Sequence, residues 1–191
     1  SREWKDENRQ EPWYPGETLN IGIGQGYFLT TPLQLANATS LLASGGESIT
    51  PHLFLRSSDA KDKNITEYNY DKNKNTIEID MDSLHIINES MWRVIYDRKV
   101  GTAYHVKKID GIEYAGKTGT AQVYNLDKGK TGKETLQDHA LFISFAPFER
   151  PEIVVAVIID NGGSGSAVAA PIARNIINFY FKNVKPQVAL K

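Results

Sequence analysis

The strongest constraint on the fold lies between residues 113 and 159, where strand-like hydrophobic patterns follow one another without a helix between them. Glu113–Tyr124, Ala140–Ala146 and Ile153–Ile159 each read as a strand, by alternation or by a short continuous apolar run. The last two are separated only by Pro147–Pro151, which is too short for a crossover helix and so predicts an antiparallel hairpin. Helical patterns stand before and after this block. The fold class expected is therefore α/β of the α+β type, an antiparallel sheet with helices packed on it.

The helices carry their own punctuation. Thr31 caps the first, Pro32 suits its opening position, Gln34 completes a capping box, and Gly45-Gly46 stops it. The second runs from about Ser83 to Val100, with Asp82 as cap, Gly101 as stop, and Leu84, Ile87, Met91, Val94 and Ile95 at helical spacing. The third, Ala167–Phe181, has Ile172, Ile176, Ile177 and Tyr180 along its apolar face. Pro12-Trp13-Tyr14-Pro15-Gly16 reads as an extended connector, and Gly22-Ile23-Gly24-Gln25-Gly26 as a backbone turn that packs against the sheet. Arg56–Thr76 is a polar excursion with room for a short hairpin, and Asn125–Asp138 is a loop rich in Gly and Lys. Trp4, Trp13, Tyr14 and Tyr27 form an aromatic set better suited to packing than to a ligand.

The chain has 191 residues, about one domain's worth. With 22 basic and 23 acidic residues the net charge is −1, which gives no reason to expect nucleic acid as a partner. There is no cysteine, so a disulfide framework, a thiol nucleophile and a thiolate metal site are excluded. His52, His85, His105 and His139 lack metal-ligand spacing, and Asp138-His139 cannot readily act as a pair because adjacent strand residues face opposite ways. No leader-like segment opens the sequence, and no apolar run is long enough to span a bilayer.

Two readings compete for residues 111–120. Gly111-Ile112-Glu113-Tyr114-Ala115-Gly116-Lys117-Thr118 fits the P-loop pattern, and Ile153–Ile159 followed by Asp160 resembles a magnesium-holding strand. A P-loop, however, must open a helix whose amides receive phosphate. Here the residues that follow are Gly119-Thr120-Ala121-Gln122-Val123-Tyr124, which alternate like a strand. On a strand, Lys117-Thr118-Gly119-Thr120 offers a different chemistry. Gly119 clears a side chain from the edge, where an extended peptide can add as a further strand. Thr118 and Thr120 share a face and can donate hydroxyl hydrogen bonds to a carboxylate. Lys117 supplies a cation for an anion or for proton handling, and the Thr120 amide is a candidate oxyanion donor.

K-T-G is part of the signature of penicillin-binding proteins and class A β-lactamases. The chain resembles the C-terminal part of the transpeptidase domain of the class B penicillin-binding proteins, the elongation type (penicillin-binding protein 2) in particular. The likeness is carried by Trp13-Tyr14 with Gly22–Tyr27, by Thr31-Pro32-Leu33-Gln34, by Ala115–Val123, and by His139–Pro147 with Ile153–Gly165 and Ala170-Pro171. It implies a five-stranded antiparallel sheet sandwiched by helices, and a peptidoglycan D,D-transpeptidase that cross-links stem peptides and is acylated by β-lactams. It assigns proton transfer to Lys117, carboxylate binding to Thr118 and Thr120, and the oxyanion hole to the Thr120 amide. Gly119 lies in the substrate strand, with Gln122 and the Asn125–Asp138 loop bordering the cleft. No cofactor or metal is implied. Partners implied are stem peptides, β-lactams, a glycosyltransferase and membrane proteins of the elongation complex, at the periplasmic face of the inner membrane.

One part of the family pattern is missing. A serine acyl-transfer enzyme needs an activated nucleophile, in S-x-x-K, and a second S-x-N motif. Only Ser58-Asp59-Ala60-Lys61 fits the first, and it sits in the polar excursion rather than at the start of an apolar helix; nothing fits the second. Residues 1–191 are therefore expected to form the C-terminal portion of one transpeptidase domain. The nucleophile and an N-terminal anchoring helix would lie outside this chain, which alone would be inactive. The alternatives are a noncatalytic peptide-binding module and a P-loop NTPase.

Overall fold

The computed structural model describes residues 1–58, 65–67, 74–122 and 137–185. Its centre is a three-stranded antiparallel sheet in the order β5 (Ala115–Ala121), β6 (His139–Ala146) and β7 (Ile153–Ile159). The register runs from Ala115 opposite Phe145 to Ala121 opposite His139, and from Ala140 opposite Ile159 to Ala146 opposite Ile153. The Pro147–Pro151 hairpin forms as expected, closed by Glu152 N–H donating to the Ala146 carbonyl at 2.8 Å. Where the family resemblance implies five strands, the main sheet has three among the described residues.

Side chains alternate across the sheet, and each face has its own cover. On one face Ala140, Phe142, Val155 and Val157 pack with Ala169, Ala170, Ala173 and Ile177 of the closing helical segment. On the other, Ala115 and Phe145 pack with Met91, Ala43, Trp92, Ile143 and Val154. The helices on that second face are α3 (Pro32–Ala43) and α4 (Met81–Tyr96). The capping box of α3 forms as predicted: Gln34 N–H donates to Thr31 Oγ1 at 3.2 Å, and Thr31 N–H to Gln34 Oε1 at 2.9 Å.

Helix α4 departs from its expected bounds at both ends. Asp80, not Asp82, is the cap, accepting from Ser83 N–H at 2.9 Å. The helix ends at Tyr96 rather than Val100 because the Asp97 carboxylate turns back to accept from Lys99 N–H at 2.8 Å and Val100 N–H at 3.3 Å. The closing segment also differs: a π-helical turn (Gly165–Ala169) leads into α5 (Ala170–Phe179), and a second such turn (Tyr180–Val184) follows. Of the predicted apolar face only Ile177 is fully buried, while Ile172 and Ile176 are exposed. Small residues, Ala169, Ala170 and Ala173, meet the sheet instead and let the helix lie close to it.

The N-terminal segment holds two helices that sequence patterning missed. The first, α1 (Arg2–Arg9), is capped by Ser1, whose Oγ accepts from Trp4 N–H at 3.2 Å. The second, α2 (Pro15–Gly22), starts inside the stretch read as an extended connector, because Pro15 occupies its first turn and the Glu17 carboxylate accepts from Tyr14 N–H at 2.8 Å. Between them Lys5 is buried, its Nζ donating to Glu17 Oε1 at 2.6 Å and the Pro12 carbonyl at 2.8 Å. It lies 4.5 Å from the centre of the Tyr14 ring and 5.4 Å from that of Tyr27. Of the aromatic set, Tyr14 and Tyr27 thus flank a cation and Trp4 meets Tyr27 with ring centres 5.8 Å apart, but none of the four is fully buried and Tyr14 is exposed.

The excursion contains a short ribbon of β2 (Arg56–Ser58) with β3 (Ile65–Glu67), and β4 (Lys74–Thr76) pairs with β1 (Glu47–Ile49).

Candidate active site

Lys117, Thr118, Gly119 and Thr120 all fall in β5, which lies at one edge of the sheet among the described residues. This disposes of the P-loop reading: Lys117-Thr118 stands mid-strand, opposite Ile143 and Phe142, and opens no helix. Strand alternation puts Lys117 on the face of Gly119 and Ala121, and Thr118 with Thr120 on the other face. Lys117 is exposed, and its Nζ donates to the Thr118 carbonyl at 2.7 Å. Thr120 and Gln122 are exposed and Thr118 is half-buried.

Two contacts, neither visible in sequence patterning, hold this strand. Gln25 Nε2 donates to the Thr120 carbonyl at 2.9 Å. Within an antiparallel strand the N–H and C=O of one residue point the same way, so the Thr120 amide faces the same side as the carbonyl that Gln25 reaches. The second contact joins Thr102 Oγ1 and Thr118 Oγ1 at 3.0 Å. The segment read as a packing turn thus reaches the site itself. Its signal was a polar Gln between Gly24 and Gly26, both of which adopt positive φ, 73° and 69°, and so turn the backbone sharply on either side of it.

The strand is backed closely. A Cβ on Gly165 would collide with the carbonyl oxygens of Gly119 and Leu141, so the π-helical turn sits directly on β5 and β6. Gly119 itself has little room, since a Cβ there would lie 3.2 Å from that of Leu141. Gly116 is fixed by the Phe142 ring, against which any side chain would clash. The glycines in this run therefore serve the packing of the strand as much as access to it.

Asp138 and His139 are tied into the loop after β7 rather than to one another. Asn161 N–H donates to His139 Nδ1 at 3.0 Å, and Gly163 N–H to the Asp138 carbonyl at 2.7 Å. Ser58 lies exposed in the β2–β3 ribbon, a separate sheet from the one carrying Lys117; Asp59, Ala60 and Lys61 lie outside the described residues. So do Val123, Tyr124 and all of the Asn125–Asp138 loop except Gln137 and Asp138. Among the described residues no helix is long and apolar enough to cross a membrane.

Over residues 3–178 the chain matches the family model of the penicillin binding protein transpeptidase domain. It is 37% identical over 193 residues to the peptidoglycan D,D-transpeptidase MrdA of Haemophilus influenzae, covering 98% of this chain and 29% of that protein. To the peptidoglycan D,D-transpeptidase MrdA of Escherichia coli K12 it is 34% identical over 183 residues, covering 93% of this chain and 28% of that one. Its fold is similar to that of Pseudomonas aeruginosa PBP2, solved in complex with WCK 5153, with a TM-score of 0.76 and 40% identity over 96% of this chain and 38% of the other. It is also similar to PBP2 of Helicobacter pylori in a complex with MreC, with a TM-score of 0.68 and 29% identity over 96% of this chain and 30% of that one. The chain spans about three-tenths of the length of the curated relatives it matches.

Proposed function

The chain belongs to the penicillin-binding-protein transpeptidase family, and from that premise we propose that it supplies the K-T-G side of a D,D-transpeptidase cleft. The observation that carries this is the place of β5 at the edge of the sheet among the described residues, with the Thr120 backbone turned outward, its carbonyl met there by Gln25, and Lys117, Thr118 and Thr120 within four residues of one another. An extended stem peptide laid along that edge pairs with the strand backbone. Its terminal carboxylate accepts from the Thr118 and Thr120 hydroxyls, and Lys117 adds positive charge and assists proton transfer. When a serine oxygen attacks the peptide or β-lactam carbonyl, negative charge develops on the carbonyl oxygen, and the Thr120 N–H stabilises it. Gln122, next after β5, borders this cleft.

The serine itself belongs to a part of the protein outside this chain, in keeping with relatives more than three times as long. Residues 1–191 are then the C-terminal portion of one domain. The substrates are peptidoglycan stem peptides, with β-lactams as acylating mimics. A glycosyltransferase and elongation-complex proteins, of which MreC in the Helicobacter pylori complex is one kind, are the partners. The protein works at the periplasmic face of the inner membrane, anchored by a segment beyond these residues.

The test is covalent labelling of the full-length protein by a fluorescent penicillin, followed by intact mass. The unmodified protein should gain one β-lactam per chain, and Lys117→Ala should lower the acylation rate by about 10²- to 10⁴-fold. Thr120→Val should weaken labelling of carboxylate-bearing drugs. Reversible peptide binding with no adduct would favour the noncatalytic module instead.

A further inference from the structure

We infer that Thr102 is a positioning residue for carboxylate recognition, orienting the hydroxyl of Thr118 so that its proton is available to the ligand. The inference rests on the carboxylate role proposed above for Thr118. Its observation is the 3.0 Å contact between Thr102 Oγ1 and Thr118 Oγ1, which joins residues on different elements.

A hydroxyl carries one proton and two lone pairs. Two arrangements of this pair are possible. In one, Thr118 spends its proton on Thr102 and has none for an incoming anion. In the other, Thr102 donates to Thr118, whose own proton points elsewhere. An ionised carboxylate accepts only, so its arrival selects the second arrangement. A hydroxyl that is already accepting a hydrogen bond is also the better donor.

The effect depends on Thr102 being held still, and the turn that carries it is unusually constrained. The Asp97 carboxylate accepts from Arg93 Nε at 3.1 Å and Nη2 at 2.8 Å, and from the Lys99 amide at 2.8 Å. Gly101 N–H donates to the Asp97 carbonyl at 2.9 Å, and Ala103 N–H to the Val94 carbonyl at 3.0 Å. A Cβ on Gly101 would fall 2.5 to 2.8 Å from three backbone carbonyl oxygens, those of Arg93 and Val94 in α4 and of Asp97 just after it, so the chain lies flush on the helix end there. Ala103 on the other side is completely buried. Thr102 is thus an exposed hydroxyl between two fixed neighbours, and Thr118 is β-branched, with few rotamers open to it.

The experiment uses the full-length protein and compares acylation by a penicillin with acylation by its methyl ester, which lacks the anionic carboxylate. Thr102→Val should slow the penicillin reaction about five- to ten-fold, the worth of the one neutral hydrogen bond it removes, and slow the ester reaction much less. Thr102→Ser should restore the penicillin rate. Equal losses with both compounds would overturn the inference, since the turn would then matter only for structure. An unchanged penicillin rate in Thr102→Val would overturn it as well. Thr118→Val separates the two layers: if it leaves the preference for penicillin over ester intact, the carboxylate role of Thr118 fails and this inference with it. If Thr118→Val abolishes the preference and Thr102→Val does not touch it, only the positioning role fails. Thr102→Ala provides the same comparison should the valine variant not fold.

Discussion

Gln25 and Thr120 stand ninety-five positions apart in the chain, yet the amide of one is hydrogen-bonded to the carbonyl of the other at 2.9 Å. The glycine-rich loop before α3 is thereby tied to the strand that carries the K-T-G run. This holds the Thr120 backbone at the point where the proposed cleft would receive a substrate.

Gln25→Ala should slow β-lactam acylation of the full-length protein roughly five-fold, the worth of one ordinary hydrogen bond. Gln25→Glu should do more harm, because it sets a carboxylate against the Thr120 carbonyl oxygen. Acylation rates measured by stopped-flow with a chromogenic cephalosporin decide the order. A glutamate variant faster than the alanine variant would contradict the contact.

Gly165→Ala tests the backing of β5. The added methyl meets backbone atoms, the carbonyl oxygens of Gly119 and Leu141 and the Gly119 nitrogen, and none can swing aside as a side chain would. A loss of about 1–3 kcal/mol in stability is expected, with slower acylation because β5 is pushed outward. Chemical denaturation alongside penicillin labelling measures both.

Ile176 and Ile177 are neighbours in sequence with opposite fates. Ile177→Ala should cost about 2–5 kcal/mol, since Ile177 is completely buried among Phe142, Val157 and the α5 alanines. Ile176→Ala removes an exposed side chain and should cost far less. Equal midpoints of urea unfolding for the two variants would mean that α5 is rotated from the orientation described.

The Lys5–Glu17 pair sets a pH dependence. The Lys5 hydrogen bond, with help from the Tyr14 amide, outweighs desolvation and lowers the Glu17 carboxyl below its ordinary value. For Lys5, burial is the largest effect and pulls its ammonium down, but Glu17, Tyr27 and Glu11 together outweigh it and the net direction is up. The Glu17 contribution is therefore present above its ordinary value and lost as the pH falls through its lowered one. That of Lys5 is complete below its ordinary value and lost as the pH rises through its raised one. The Tm gap between the wild-type protein and Glu17→Gln should hold steady from about pH 6 to 9 and close below about pH 4. A gap that persists in acid would mean the pair is not formed.

The strands, their antiparallel order and the start of α3 were legible in the sequence because each rests on local physics. Period-two hydrophobicity, a five-residue connection and a Thr-Pro-x-Gln cap are properties of neighbouring residues. The K-T-G run was legible for the same reason, as a short motif whose residue types suit an anion and a proton.

What the sequence could not show was set by contacts between distant segments. The N-terminal helices escaped notice because their apolar content is low, and their stability comes from end caps and from a buried Lys5 whose partners sit in the next helix. The apolar face of α5 was misassigned because periodicity weights large residues, whereas the sheet accepts the small ones that let the helix lie close. Gln25 and Thr102 carry no pattern at all. They matter only because the folded chain brings an amide and a hydroxyl within hydrogen-bonding distance of one strand. Sequence by itself determined which chemical groups are present and which local elements carry them. Tertiary structure decided which groups meet, because hydrogen bonds act over about 3 Å while the residues that make them lie far apart along the chain.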